Sequence, residues 1–204
     1  MYSLKSLVLV TASLLWLSLV CAGFTWLVRY ESSPGRAGTA PDSWPEESRI
    51  ERATDRPTLL MFAHPRCPCT RASIAELARL TAQCEGRARV VVSFFRPSET
   101  GKDWSVTDLW RSASSLPGVT VAWDEDGVEA RRFHSETSGQ VLLYDIRGRL
   151  VFEGGITSSR GHEGDNAGRS ALVAILNGGE RDSSRTPVFG CSISDPQMAP
   201  TAKP

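Results

Sequence analysis

The chain has 204 residues, a length that suits one compact domain together with smaller additional segments. Its 23 Lys and Arg residues balance 23 Asp and Glu residues, so it lacks the long-range positive field typical of nucleic-acid-binding proteins. Its five cysteines are an odd number, too few for a disulfide-stapled scaffold, and they lack the paired C-x-x-C units of a structural zinc site. Charge and cysteine usage therefore favour thiol chemistry and exclude a nucleic-acid partner.

Residues 7–28 form an almost unbroken apolar run, long enough to cross the hydrocarbon core of a membrane as a helix. Lys5 precedes the run and favours a cytoplasmic N-terminus, although Arg29 and Arg36 on the other side weaken this bias. We therefore predict a transmembrane anchor in residues 1–30. It would cross the inner (cytoplasmic) membrane once, with the remaining chain facing the periplasm. A cleaved signal peptide is the alternative, and it also places the domain outside the cytoplasm.

The remaining chain divides into a linker, a domain and a tail. Residues 31–56 are rich in Ser, Pro, Gly and charge, which predicts a flexible linker. Residues 57–178 carry the hydrophobic periodicity of a folded domain. Residues 179–204 form a polar tail with a small apolar island around Cys191, and we expect that island to dock back on the domain.

Strand and helix patterns alternate along the domain. The predicted strands comprise residues 58–62, 88–95, 119–123, 140–145 and 149–153. The predicted helices comprise residues 71–84, 105–115, 128–133 and 167–176. Ser105, with Asp108 three residues later, is the expected N-cap of the second helix. The first two strands, which a helix connects, predict a parallel β-α-β unit, and the last two strands predict a hairpin.

This order of elements, with two thiols directly after the first strand, resembles a thioredoxin fold. The motifs H-P-R-C-P-C-T, T-S-G-Q-V-L-L-Y-D, G-G-I-T-S-S-R-G-H-E-G-D-N and V-F-G-C most resemble membrane-anchored thioredoxin-like proteins labelled RedB. The wider comparison is with the TlpA-like thiol-disulfide oxidoreductases. The resemblance implies an α/β fold in which helices flank a central mixed β-sheet, and it implies redox chemistry outside the cytoplasm.

Cys67 takes the position of the nucleophilic cysteine of thioredoxins, because it follows the strand aromatic Phe62 by five residues. The second thiol, Cys69, arrives one residue earlier than in C-x-x-C, so the motif is C-x-C and Thr70 occupies the usual resolving position. A disulfide across the single residue Pro68 closes a small ring, which favours its reduction. We expect Cys67 to attack and Cys69 to resolve, with Pro68 and Thr70 next to the substrate.

Three basic residues near Cys67 are expected to stabilise its thiolate. Arg66 and Arg71 flank the C-x-C motif, and His64 precedes Cys67 by three residues. His64 is therefore the histidine that we predict to be catalytic.

The loop before the fourth strand is expected to face the thiols. By the resemblance, Gly139 stands where thioredoxin-like proteins carry a cis-proline, and Thr137 and Ser138 line the substrate site beside it. The alternative is that Gly139 is an ordinary turn residue. That proline usually shields the thiols from metal, so its absence leaves a soft-metal site open. The alternative function is then a copper-binding module, similar to the Sco-type chaperones, with Cys67, Cys69 and His134 as ligands.

Cys191 has several possible roles. It is a candidate third thiol, which either resolves Cys67 or completes a metal site; alternatively it pairs with Cys84 or is inert. The glycine-rich loop at residues 154–164 contains His162 and is followed by Asp165 and Asn166, which are good caps for the last helix. We interpret that loop as structural rather than as a ligand site.

The function predicted from the sequence is therefore that of a membrane-anchored, periplasm-facing thiol-disulfide oxidoreductase that needs no cofactor. Its expected partners are protein thiols and disulfides of the periplasm, together with a membrane electron donor. Thiol peroxidase activity is disfavoured, because peroxiredoxins need Thr or Ser three residues before the attacking cysteine, whereas Cys67 has His64 there. The sequence leaves the substrate and the direction of electron flow open.

Overall fold

The computed structural model describes residues 3–36, 38–100, 106–179 and 184–194. They fall into two compact units, one up to Ser33 and one from Pro34 onward. The first unit is a single helix, α1 (Leu4–Ser32), whose N-cap Ser3 accepts a hydrogen bond from the N–H of Lys5. Its 29 residues span about 43 Å, which exceeds a hydrocarbon core of about 30 Å. Within the described residues, α1 is the one helix long and apolar enough to cross a membrane, a property that anchors and signal sequences share.

The second unit is built around a five-stranded mixed sheet. Its strands are β1 (Thr58–Ala63), β2 (Arg89–Arg96), β3 (Val119–Glu125), β4 (Gln140–Tyr144) and β5 (Leu150–Gly155). Their spatial order is β3-β2-β1-β4-β5. β1, β2 and β3 run parallel, and β4 is antiparallel to both of its neighbours. All of β1 is buried, since it lies at the centre of the sheet, and this explains its continuous apolar sequence.

Helices cover both faces of this sheet. Those that the structure describes in this unit are α2 (Thr70–Gln83), α3 (Asp108–Ser114), α4 (Val128–Arg132) and α5 (Ala167–Leu176). Alternate side chains of β1 point to opposite faces of the sheet, as the two-residue period of a strand requires. Leu59 and Met61 belong to the core cluster that includes α2, α3 and α5, whereas Leu60 and Phe62 belong to the cluster that includes α4.

This is the thioredoxin-like arrangement that the sequence predicted, with helices around a mixed sheet and the thiols directly after β1. The parallel β1–α2–β2 unit and the β4–β5 hairpin are confirmed. Most element ends differ from the predicted ones by two residues or fewer. Helix α3 differs more, because its N-cap is Thr107, whose hydroxyl accepts the N–H of Trp110 at 3.4 Å. Ser105, which the sequence suggested as the cap, lies outside the described residues.

The segment predicted to be a flexible linker belongs largely to the folded unit. Ala40 is buried, and its N–H donates to Oε2 of Glu153 at 2.9 Å. The ring of Trp44 meets that of Phe133 edge-on, with 5.0 Å between their centroids. The composition of this segment wrongly predicted flexibility, because a segment without helical or strand periodicity is still able to lie along the domain and bury single side chains there.

Candidate active site

Cys67 lies in a tight turn between β1 and α2. Its N–H donates to the carbonyl oxygen of His64 at 3.2 Å, and its own carbonyl oxygen accepts from the N–H of Thr70 at 3.1 Å. Pro68 follows and is exposed, and its fixed φ suits the turn. Cys69 is the N-cap of α2, so both thiols stand at a helix N-terminus. Unpaired N–H groups and the helix dipole favour a thiolate at this position.

A third thiol reaches this turn from the C-terminal tail. The Sγ atoms of Cys67, Cys69 and Cys191 all lie within 4.8 Å of one another, and none of them is in a disulfide. The apolar island around Cys191 therefore docks on the domain, at the thiol turn itself. A disulfide between Cys191 and Cys84 is excluded, because Cys84 follows the opposite end of α2, whose 14 residues span about 21 Å.

Hydrogen bonds among the three thiols favour one negative charge, on Cys67. The side chains of Cys191 and Cys69 donate to its sulfur and hold the pKa of Cys67 well below its usual value, against the opposing effect of burial. The hydrogen bonds that the Cys191 thiol makes, first with Cys67 and then with Cys69, raise the pKa of Cys191. The hydrogen bond with Cys191 lowers the pKa of Cys69, but the hydrogen bond with Cys67, burial and the charge of Cys67 raise it by more. These hydrogen bonds favour the thiolate at Cys67 and the protonated thiol at Cys69 and Cys191.

Two hydroxyl groups connect the thiol turn to the loop before β4. The Oγ of Ser138 accepts the N–H of His64 at 2.8 Å and lies 2.7 Å from the Oγ1 of Thr70. Because the Ser138 oxygen already accepts a hydrogen bond from His64, we assign the Ser138 hydroxyl as the donor to the Thr70 oxygen. The Thr70 hydroxyl is then able to donate to the Cys67 sulfur. That last hydrogen bond makes a smaller contribution to the lowered pKa of Cys67. Thr70 and Ser138, both predicted as site residues, thus meet beside the thiolate.

His64 is fully buried between the turn and β2. Its ring stacks on that of Phe95, with 5.6 Å between the centroids, and its Nδ1 accepts the N–H of Arg66 at 3.2 Å. A catalytic role for His64 stays a prediction from its spacing to Cys67. Arg71, the second basic neighbour, pairs with the exposed carboxylate of Asp108.

The loop before β4 contributes mainly its backbone to the site. Gly139 has a φ of +92°, and its N–H donates to the carbonyl oxygen of Phe62. The described residues contain no cis peptide bond, so this loop does not reproduce the cis bond that a proline would supply. Thr137 pairs in antiparallel fashion with Ser192 of the tail, while its hydroxyl donates to the carbonyl oxygen of Arg36 at 2.6 Å. Of the three predicted residues, Ser138 offers a side chain to the thiol turn, and Thr137 and Gly139 offer main-chain groups.

The other two histidines lie away from the thiols. His134, the predicted metal ligand, is exposed, and its Nδ1 lies 2.9 Å from the carbonyl oxygen of Thr39. In the described part of the chain, the potential ligand atoms that cluster belong instead to the three cysteines. His162 is also exposed, with its Nδ1 3.1 Å from the carbonyl oxygen of Arg160. Asn166 caps α5, as expected for a structural loop.

Arg160 and Gly190 are site residues that sequence reasoning missed. The guanidinium of Arg160 donates to the carbonyl oxygen of Gly190, and its charge opposes, in small part, the raised pKa of Cys69. A Cβ on Gly190 would lie 2.0 Å from the carbonyl oxygen of Ser138, so glycine is required there. The available signals were the lone cation in S-S-R-G-H and the glycine beside the cysteine in V-F-G-C.

Comparisons with known proteins support the fold. No family model matches the chain, and neither does any curated protein. A hypothetical protein from Sinorhizobium meliloti 1021 aligns with a TM-score of 0.58 and 18% identity, over 80% of this chain and 97% of its own. An uncharacterized conserved protein from Geobacillus kaustophilus aligns with a TM-score of 0.57 and 22% identity, over 81% and 91% of the two chains. These two alignments establish a shared fold.

A third comparison concerns a secreted Mycobacterium tuberculosis disulfide oxidoreductase homologous to E. coli DsbE. It aligns with a TM-score of 0.42 and 17% identity, over 60% of this chain and 81% of its own. That score is too low to carry an argument. The specific resemblance to RedB-like proteins is not confirmed by any of these matches.

Proposed function

We propose that this protein is a membrane-anchored thiol-disulfide oxidoreductase that acts outside the cytoplasm. The observation that carries the proposal is the environment of Cys67: a buried sulfur at a helix N-terminus, with a lowered pKa and two further thiols within 4.8 Å. A thiolate is the nucleophile of disulfide exchange, and a nearby thiol is what completes it.

In the proposed reaction, the Cys67 thiolate attacks one sulfur of a substrate disulfide. The substrate S–S bond breaks, one substrate sulfur leaves as a thiol after it takes a proton, and the other is bonded to Cys67. Cys69 then loses its proton and attacks the Cys67 sulfur, which releases the second substrate thiol and forms a Cys67–Cys69 disulfide. The substrate gains the two electrons that the protein loses. Of the two protons that it takes up, one comes from Cys69 and the other from water, because Cys67 starts as a thiolate; the reverse sequence oxidises a substrate dithiol.

The test is reduction of insulin disulfides by dithiothreitol, with the full chain in detergent as catalyst. We expect wild type to accelerate precipitation of the insulin B chain and the Cys67→Ser variant to be inactive. Cys84→Ser is the matched control, because Cys84 lies beyond the far end of α2, and it should retain full activity. Equal rates with wild type and Cys67→Ser would reject the proposal.

We further propose that α1 is retained as an anchor in the inner membrane, with the second unit in the periplasm. The apolar character of α1 and Lys5 on its N-terminal side support this orientation. Protein dithiols and disulfides of the periplasm would be the partners, with a membrane electron donor to restore the thiols. Alkaline phosphatase fused after Ser33 should be active and membrane-bound. An inactive fusion would indicate the opposite orientation of α1. An active fusion in the soluble periplasmic fraction would show that α1 is cleaved.

Soft-metal binding is a second candidate function, favoured by the clustering of three thiols. Thiolates are the ligands that Cu(I) prefers, and three sulfur atoms within 4.8 Å of one another are able to surround one ion. Cys191 takes the place that the sequence assigned to His134. The ion would be held by the sulfur atoms of Cys67, Cys69 and Cys191, and it would take the place of the protons on these thiols.

Anaerobic titration with Cu(I) against a chromophoric chelator tests this second candidate. We expect one equivalent to bind, binding to weaken strongly in Cys191→Ser, and His134→Ala to bind like wild type. Loss of binding in His134→Ala but not in Cys191→Ser would favour the original ligand set, and the absence of stoichiometric binding would remove the candidate.

A further inference from the structure

The tail closes the thiol turn from solvent. Cys67 is 0% exposed and Cys69 is 7% exposed. On either side of Cys191, the tail residues Val188 and Ile193 are 1% and 3% exposed, which matches the burial of core side chains. The tail is therefore anchored on both sides of its cysteine.

Main-chain hydrogen bonds fix the position of Cys191. Three N–H groups make them, at 2.8 to 2.9 Å: Gly35 to the oxygen of Val188, Ser138 to the oxygen of Cys191, and Ile193 to the oxygen of Glu136. Gly190 approaches Ser138 so closely that no other residue fits there, and Arg160 binds the Gly190 oxygen. The third thiol is held by backbone geometry, in the manner of an added strand, and not by chance contact of a loose end.

Cys67 and Cys69 are poorly placed to remain bonded to each other. The carbonyl oxygen of Cys67 accepts from Thr70, and that of Cys69 accepts from Ser73, so both cysteines belong to helical turns. The two sulfur atoms lie within 4.8 Å of each other. However, side chains two residues apart on a helical turn leave the backbone in different directions, whereas a disulfide needs its Cβ atoms about 4 Å apart, so a lasting Cys67–Cys69 bond would strain the turn. Cys191 comes from a separate segment and carries no such restriction.

We propose that the disulfide formed at the C-x-C turn is passed to the tail, so that the oxidised protein rests with a Cys67–Cys191 bond. This inference rests on the proposed function for the origin of the first disulfide. The Cys191 thiol loses its proton and attacks the Cys67 sulfur, the Cys67–Cys69 bond breaks, and Cys69 leaves as a thiolate that takes up the proton. One disulfide replaces another, so no external oxidant or reductant is consumed.

The Cys67–Cys191 bond would lock the tail over the site. Reopening needs an external dithiol, which we expect to attack at Cys191, a half-buried residue, rather than at Cys67, which is fully buried. The Cys67–Cys191 bond breaks and Cys67 leaves as a thiolate. The second thiol of the dithiol then attacks the mixed disulfide on Cys191, so that the dithiol becomes a disulfide and Cys191 returns to a thiol. The hydrogen bonds that hold the tail are able to break and re-form, whereas this covalent bond keeps the site closed to new substrate until a reductant has acted.

Disulfide mapping of the full chain in detergent tests this inference. The protein is oxidised with diamide, its free thiols are blocked with N-ethylmaleimide, and peptides are identified by mass spectrometry. We expect Cys67–Cys191 as the main bond, with Cys69 labelled, in wild type and in the Cys84→Ser control. The Cys69→Ser variant should form the same bond. A Cys67–Cys69 bond with labelled Cys191, or no bond at all, would overturn the inference.

The Cys191→Ser variant supplies a second measurement. It is restricted to a Cys67–Cys69 bond, and we expect at least a tenfold higher ratio of reduced to oxidised protein at the same glutathione ratio, which corresponds to about 30 mV. An unchanged ratio would count against the transfer. The insulin assay tests the proposed function separately from the tail disulfide. If the protein does not catalyse insulin reduction but does form the Cys67–Cys191 bond, the proposed function is rejected and the tail disulfide is supported.

Discussion

The amide N–H of Gly139 donates a hydrogen bond to the carbonyl oxygen of Phe62, with 2.8 Å between nitrogen and oxygen. This bond fastens the loop before β4 to the end of the central strand, five residues before Cys67. Proline has no N–H and holds φ near −65°, whereas Gly139 has a φ of +92°. The hydrogen bond and the positive φ therefore require a glycine at position 139, which is not an interchangeable turn residue.

We expect Gly139→Pro to lower the free energy of unfolding by about 2 to 5 kcal/mol, through backbone strain and the lost hydrogen bond. Gly139→Ala should cost less but still destabilise, because its Cβ would lie 2.7 Å from Oγ of Ser73. Urea unfolding of the full chain in detergent, followed by tryptophan fluorescence, measures both. Gly161→Ala is the matched control, with a positive φ but open space around it. If Gly139→Pro is no less stable than this control, the loop does not need its glycine.

Gly190 offers a way to undock the tail without touching a thiol. In Gly190→Ala the new Cβ would lie 2.0 Å from the Ser138 oxygen, so the segment must move away. We expect alkylation of Cys67 by iodoacetamide to become faster by roughly tenfold or more, since about 1.4 kcal/mol of lost docking corresponds to a factor of ten. Peptide mass spectrometry at timed intervals gives the rate. Gly178→Ala, where a Cβ meets open space, should leave the rate unchanged.

Glu76 of α2 is a buried charge that ties the glycine-rich loop to the domain. Its Oε1 accepts the N–H of Gly164 at 2.7 Å, and its Oε2 lies 3.2 Å from Nδ2 of Asn166 and 3.3 Å from Nε of Arg169. We expect Glu76→Ala to cost about 3 to 5 kcal/mol, because the mostly buried Arg169 then keeps only the exposed carboxylate of Asp165 and the N–H of Gly164 loses its acceptor. Thermal or urea unfolding measures this.

The matched control for Glu76 is Glu163→Ala, which removes an exposed ion pair with Arg79. Exposed pairs of this kind contribute about 0 to 1 kcal/mol, so the control should be close to wild type. Equal losses in the two variants would show that the buried network is not what holds the loop.

The pH dependence of stability should reveal Asp124, a buried carboxyl that accepts the N–H groups of Glu129 and Ala130 at 2.8 and 2.9 Å. Burial raises its pKa. The folded protein therefore keeps this proton to a higher pH than the unfolded chain, in which the pKa is about 3.9. Its contribution to stability is greatest below that pH and is lost as pH rises through the folded-state pKa. Relative to Asp124→Asn, wild type should lose stability as pH rises from about 4 through the folded-state pKa of Asp124.

Asp126 is the opposite case and serves as the control for Asp124. Hydrogen bonds from the backbone and side chain of Ser98 lower its pKa. Its contribution to stability is present above the unfolded pKa and is lost as pH falls through the folded one. Relative to Asp126→Asn, wild type should therefore gain stability as pH rises through the acidic range. Urea unfolding at several pH values compares the two pairs, and slopes of the same sign would contradict the assignment.

The sequence by itself determined the strands, the helices and the thiol turn, because each of these is encoded locally. The continuous apolar run of β1 and the apolar spacing of α2 flank the two cysteines in the chain, so the position of Cys67 and Cys69 at a helix N-terminus followed directly. The cap of α5 by Asn166 is a local signal of the same kind.

Only the tertiary structure decided what surrounds those thiols. The tail crosses the site at Thr137 and Ser138, which places Cys191 within 4.8 Å of Cys67 and brings Arg160 to Gly190. These partners are distant in the chain, and their contacts depend on the order of the strands and on where the tail finds free backbone groups. Residue patterns report which side chains prefer burial, but they do not report which distant segment will bury them.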